Sequence, residues 1–253
     1  VFHDALVSFA ERRIIKMNET IQVLMNRKSV RVFEDKEITP EIKDIILAAA
    51  MRAPTGGNCM PYSIIDVTDQ SIKDKLAETC DHQPFIAQAK MVLIFCADYH
   101  RWYRKFKMAG CEDIPAPELS NMVLATEDAV IAAHTACIAA ESLGIGSCYI
   151  GDIVENFEIH KELLNLPPQV APLCMLVFGY PTQQQKERKQ TTRFAKSSIV
   201  FENRYRELSE EELLEMMPND RTKAFYNRKY VSDFAQEMVR STKEIYKNWN
   251  SKE

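Results

Sequence analysis

Met91-Val92-Leu93-Ile94-Phe95-Cys96-Ala97 is seven apolar residues without a break, closed by Asp98. A run of that length predicts a strand buried on both faces, because an amphipathic strand would alternate. Val170 to Gly179 is a second such run, stopped by Gly179-Tyr180-Pro181. Two shorter strands are expected at Tyr62 to Val67 and at Cys148 to Ile150, the latter turning at Gly151-Asp152. Helical patterns surround them. Ile21, Leu24 and Met25 share a face from Met17 to Asn26. Thr39-Pro40-Glu41 opens a helix running to about Arg52, with Thr at the cap and Pro at the first helical position. Further helices are expected from Gln70 to Cys80, Val154 to Leu164, Ser209 to Met217 and Asp233 to Trp249. Leu119 to Leu143 reads as a long helix, apolar almost all round, which belongs at the centre of a fold or at a subunit interface. Strands separated by helices of varied length give an α+β architecture, a helix-flanked mixed sheet.

The chain has 253 residues, 46% of them hydrophobic, enough for a sizeable core. A formal charge of -4 argues against nucleic acid as the main partner, since counterion release needs a basic face. Seven cysteines, an odd number with no C-x-x-C pair, read as reduced cytoplasmic thiols rather than a disulfide or zinc framework. No apolar stretch is expected to reach the ~18 residues of a membrane helix, and no signal-peptide core precedes Met17. The expected unit is a single domain over 17–253 with a helical C-terminal excursion, after an extension at 1–16 of uncertain origin.

G-x-G-x-x-G after a strand, a Walker loop, a G-x-S-x-G elbow and H-E-x-x-H are all missing from the sequence, and five scattered histidines form no metal pattern. Four other features would suit a flat, phosphate-bearing ligand. Arg27-Lys28-Ser29-Val30-Arg31 places Arg27, Ser29 and Arg31 on one face of an extended segment, with Val30 turned to the core. Guanidinium forks hold phosphate in fixed orientation. Solvated cations at a helix C-terminus would look the same in sequence. Lys186, Arg188, Lys189 and Arg193 form a second basic cluster. Thr55-Gly56-Gly57-Asn58 offers bare backbone and an amide. Tyr149-Ile150-Gly151-Asp152 can lay an apolar side chain and open backbone against a ring.

With those residues in view, the chain resembles the FMN-dependent nitroreductase family, in its oxygen-insensitive NADPH nitroreductase and flavin reductase branch. The resemblance runs from about Met17 to Trp249. It is carried by R-x-S-x-R-x-F at Arg27 to Phe33, A-P-T-x-x-N at Ala53 to Asn58, and Gln83 ahead of Ala87-Gln88-Ala89. Phe95 to Asp98, Ala139 to Gly144, Tyr149-Ile150-Gly151, Phe178 to Pro181 and the Arg193 segment to Asn203 continue it in order.

The resemblance implies a mainly antiparallel sheet and a homodimer with FMN at the subunit interface. It implies reduction of nitroaromatics, quinones or similar small-molecule acceptors by NADPH or NADH, NADPH favoured, in a ping-pong cycle. Free-flavin reduction and non-catalytic flavin binding are the alternatives. Arg27, Lys28 and Ser29 would engage the phosphate and ribityl chain, and Arg31 the N1/O2 edge of the flavin. Thr55, Gly56 and Asn58 would come from the partner subunit. Gln83 would hydrogen-bond the flavin, Tyr149, Ile150, Gly151 and Asp152 would line its ring, and Arg193 with Lys189 would complete the phosphate site. Arg228 and Lys229 are candidates for the 2′-phosphate of NADPH. The chain departs from the family pattern at Met60, Tyr62, Asp152 and Thr191, where Gln, Trp, Gly and Lys are common; an Asp152 carboxylate beside the ring would repel negative charge there.

Overall fold

The computed structural model describes residues 17–251, so the extension at 1–16 lies outside the described residues. These fall into two compact units, one of Val23–Arg188 with residues 237 onward, the other of Lys189–Gln236 with the stretch through Gln22.

The first unit is built on a four-stranded sheet: β1 (Tyr62–Asp66), β2 (Met91–Asp98), β3 (Gly146–Ile150) and β4 (Val170–Gly179), in the spatial order β1-β2-β4-β3. All three pairings are antiparallel. The mixed character expected from sequence is confined to a parallel bridge between Ser29 and Ser147 beside β3. The two continuous apolar runs are the two central strands, and every residue of β2 is buried. Their alternation feeds two cores. Leu93, Phe95, Leu176 and Phe178 meet α2 (Pro40–Met51) and α6 (Leu119–Ser142) on one face. Val92, Ile94, Met175 and Val177 meet α3 (Gln70–Thr79), α4 (Phe85–Gln88) and Trp249 of α11 (Asp233–Trp249) on the other. The Thr39 hydroxyl caps α2 by accepting from Ile42 N.

α6 turns an alanine stripe, Ala129, Ala132, Ala133, Ala136 and Ala140, onto the sheet, which lets its backbone approach closely. Its 24 residues are long and apolar enough to cross a membrane by length and composition, contrary to the sequence expectation. The larger apolar residues Leu119, Val123, Leu124, Val130 and Ile131 lie exposed on its outer side.

Some elements differ from the sequence reading. α1 (Glu19–Asn26) starts two residues late because Asn18 caps it, accepting from Ile21 N at 3.0 Å. The segment after Asp98, to which the sequence reading assigns no element, is a helix, α5 (His100–Met108). The helix expected from Val154 is a 3₁₀ turn over Asp152–Val154, a left-handed Asn156 (φ 49°), then α7 (Phe157–Leu163).

A short helix, α8 (Gln183–Glu187), closes the first unit's polar tail. The second unit carries α9 (Glu210–Met216), opened by a Ser209/Glu212 capping box, and α10 (Asn219–Tyr226), which runs into a π turn over Asn227–Val231. α10 went unread because its sequence has no apolar stripe. Arg206 grips Glu212 through two bonds of 2.8 and 2.6 Å and lies 5.5 Å from the Phe201 ring centroid. Between residues 189 and 234 no side chain is buried, so caps and ring contacts hold this unit in place of a core.

Candidate functional site

Two glycines seat the basic run. Val30 N donates to Ser147 O at 2.9 Å and Glu34 N to Tyr180 O at 2.7 Å, so residues 29–34 run along β3 and past the end of β4. A Cβ on Gly146 would fall 2.5 Å from Val30 Cγ2, and one on Gly179 would fall 2.6 Å from the Phe33 ring. With both glycines bare, Val30 buries as expected and its neighbours Ser29 and Arg31 turn the other way.

The second basic cluster closes on the first from α8. Lys28 Nζ donates to Lys186 O and Arg188 O, each at 2.6 Å, and Arg188 donates to Ser29 O. Arg31 N reaches Gln185 Oε1 at 3.5 Å, and its guanidinium lies 6.0 Å from the Phe85 ring centroid. Sequence reasoning named Arg188 only as part of a charge cluster and missed Gln185; a buried glutamine in a polar helix was the available signal.

Burial pushes the Glu141 carboxyl above its ordinary range, and Arg27 and Lys28 pull it back. Burial also raises the Tyr149 hydroxyl and the Cys148 thiol, opposed by Arg27 for the first and by Arg31 and Ser29 for the second. The cations therefore lie beside groups whose ionisation burial opposes. Two atoms in that setting, Glu141 Oε2 and Tyr149 Oη, are buried without a hydrogen-bond partner.

The Thr55–Asn58 loop is anchored differently. Asp128, a buried acid on α6, accepts from the Thr55 hydroxyl and from Gly56 N at 3.1 Å. Thr55 Oγ1 in turn accepts from Met60 N at 2.9 Å. Asn58 is left exposed with φ 57°. Asp128 was missed, although an acid at helical spacing within an alanine stripe (Ala125, Ala129, Ala132) was there to be read. Tyr62, at one of the departures from the family pattern, is buried with its hydroxyl raised by burial and then by Asp128.

Gln83 uses its amide nitrogen on Asp152 Oδ2 (2.6 Å) and Cys80 O (2.9 Å). The carboxylate expected to repel charge beside a ring is thereby held on Gln83, and Gln83 keeps its carbonyl oxygen for any other partner. Ile150 is buried, and a Cβ on Gly151 would meet nothing within 4 Å, so that backbone is open. The structure thus brings Arg27, Lys28, Ser29, Arg31 and Tyr149 into one neighbourhood and joins Gln83 to Asp152. Thr55 and Gly56 are tied to α6 instead. Lys189 and Arg193 belong to the second unit, where Arg193 Nη1 donates to Thr191 Oγ1 at 2.8 Å.

The Nitroreductase family profile matches residues 24–180, which span the basic run, the Thr55 loop, Gln83 and the Tyr149–Asp152 turn. The chain belongs to the nitroreductase family. Its relatives include an FMN reductase (NADPH) of Bacillus subtilis, 32% identical over 213 residues, 84% of each chain. An oxygen-insensitive NADPH nitroreductase of Salmonella typhimurium is 33% identical over 194 residues, 77% of this chain and 78% of that one. Among solved structures, the NADPH:FMN oxidoreductase of Vibrio harveyi in complex with NAD+ superposes with a TM-score of 0.76 at 27% identity, covering 90% of this chain and 98% of that one. In this nitroreductase, Lys189 and Arg193 lie beyond the matched segment.

Proposed function

We propose that this chain is an FMN-dependent, NAD(P)H-oxidising reductase of nitroaromatics, quinones or similar small acceptors. The observation that carries the reading is the cationic run Arg27–Arg31 set against buried, unpartnered Tyr149 Oη and the open Gly151 backbone. That donor set and that bare surface fit a flat group bearing a phosphate. When bound, FMN would supply two-electron redox chemistry between NAD(P)H, with NADPH favoured, and the acceptor.

The chain's own residues bind and orient. Arg27, Lys28 and Ser29 would hold the phosphate and ribityl end. Lys28, already seated on the α8 carbonyls, contributes charge more than a free fork. Arg31 would supply positive charge toward the pyrimidine edge. Tyr149, Ile150 and Gly151 line the ring, and Gln83 keeps Asp152 off it while offering its own carbonyl. Thr55, Gly56 and Asn58 serve the site of a second copy. The exposed apolar side of α6 supports a homodimer, since five large side chains in water on one helix favour burial. The packing of α6 on the sheet and the unpaired cysteines support a soluble, cytoplasmic enzyme. A second reading, free-flavin reduction, is favoured by the name of the Bacillus subtilis relative.

FMN and riboflavin titrations test the phosphate assignment, since the two ligands differ only there. FMN is expected to bind at least about 100-fold tighter, as two or more charge-assisted bonds would give. In Arg27→Gln that ratio should collapse while riboflavin affinity holds. Equal affinities in the unmodified protein would overturn the assignment. Comparing a nitroaromatic, a quinone and free FMN as acceptors separates the two readings.

A further inference from the structure

A cavity of about 610 Å³ opens on the β1 edge of the first unit, away from the basic run; none of Arg27, Lys28, Ser29 or Arg31 lines it. Its walls come from the β1–β2 face, from α5 and from the 164–170 segment ahead of β4. That volume is ordinary for a small-molecule site.

The polar groups of the wall divide sharply into spent and unspent. Asp98, at the floor, accepts from the Ser63 hydroxyl and from Arg101 N at 3.1 Å, so its carboxylate is satisfied. Arg101 Nη2 donates to Met60 O (2.6 Å) and Tyr62 O (3.0 Å), and Trp102 Nε1 donates to Cys59 O (2.9 Å). Those two side chains staple α5 to the 59–62 segment. Arg104 and Lys105, on the next turn of the same helix, also line the cavity, and among the described residues neither side chain makes a hydrogen bond or an ion pair. α5 carries five cations or imidazoles between His100 and Lys107 and no acid, in a chain whose net charge is -4. Apolar lining comes from Ile65, Leu166 and Val170, and from Met108 one turn along α5 from Arg104. Met108 is 78% exposed.

We propose that this cavity binds an amphipathic organic anion, its single acidic head on Arg104 and Lys105 and its apolar body along Met108, Leu166 and Val170. A cationic ligand would meet uncompensated positive charge, and a neutral apolar one would leave both side chains unused. A polyanion such as a nucleotide would set its polar body against the aliphatic wall. Charge and surface complementarity together therefore select one head and one tail.

Octanoate is the probe, with octanol and octyltrimethylammonium as tail-matched controls, on the FMN-loaded protein. Trp102 lines the cavity and Trp249 is buried elsewhere, so ligand-dependent tryptophan fluorescence that vanishes in Trp102→Phe reports this site, with calorimetry following binding in that variant. Octanoate is expected to saturate, at least about tenfold tighter than octanol, and to weaken by about tenfold or more in the Arg104→Gln/Lys105→Gln double variant, the loss of charge-assisted contacts. Both residues are exposed, so the variant should keep its fold, flavin content and melting temperature. Equal binding of octanol and octanoate, unchanged octanoate affinity in the double variant, or no saturable binding of octanoate would each overturn the proposal.

Discussion

The basic run at 27–31 and the loop at 55–58 both carry family motifs, yet the fold secures them by opposite means. The run is fixed by backbone: it extends the sheet beside β3, its core residue Val30 drops onto Gly146, and its lysine sits on carbonyls at the end of α8. Its guanidinium chemistry can change without loosening the backbone. The loop hangs on one side chain, the Asp128 carboxylate, which collects Thr55 Oγ1 and Gly56 N. A site element held by backbone is robust to substitution, whereas one held by a single buried acid transmits any change at that acid to the whole loop.

Asp128→Ala is expected to break the comparison most severely. It strands Gly56 N and the Thr55 hydroxyl beneath the loop, at a cost of about 3 kcal/mol for an unmatched buried network. Asp128→Asn should restore most of it, because an amide oxygen still accepts from Gly56 N; thermal melts of both variants check this. Gly146→Ala comes next. Its new methyl would overlap Val30, an overpacking cost of about 2 kcal/mol. In the Val30→Ala background the same change should cost less, because the Cγ2 overlap is gone and only the Cβ approach of 2.8 Å remains, and a strictly additive double variant would contradict the close approach.

Glu141 gives the smallest effect and a sign that can be read from pH. Burial raises its carboxyl in the folded protein above its unfolded value, so the folded state holds the proton more tightly. Stability from this group is thus complete below the unfolded carboxylate pKa and is lost as pH rises through the folded value. Glu141→Gln should be more stable than the parent near neutral pH, by less than about 1 kcal/mol, and should lack that acid-side gain. A variant that matches the parent at every pH would show that the Arg27 and Lys28 charges fully offset burial.

The sheet was legible because Met91–Ala97 and Val170–Gly179 admit one reading, and the α2 cap because Thr-Pro-Glu states it outright. The run and the loop were legible as residues. Their anchors were not, because Asp128 lies 73 residues from Thr55 and Asp152 lies 69 from Gln83, and such pairings exist only after folding. The 100–108 helix was hidden by its charge density, and α10 by the lack of any buried face. The two-residue offset at α1 came from Asn18, whose capping role competes with Met17 as a starting point.

The measurement that tests the central claim most directly is the visible absorbance spectrum of the purified protein before and after anaerobic NADPH. Flavin bands that are present at the start and bleach on addition are the predicted result. A colourless protein that also shows no rise in melting temperature with added FMN would contradict the account.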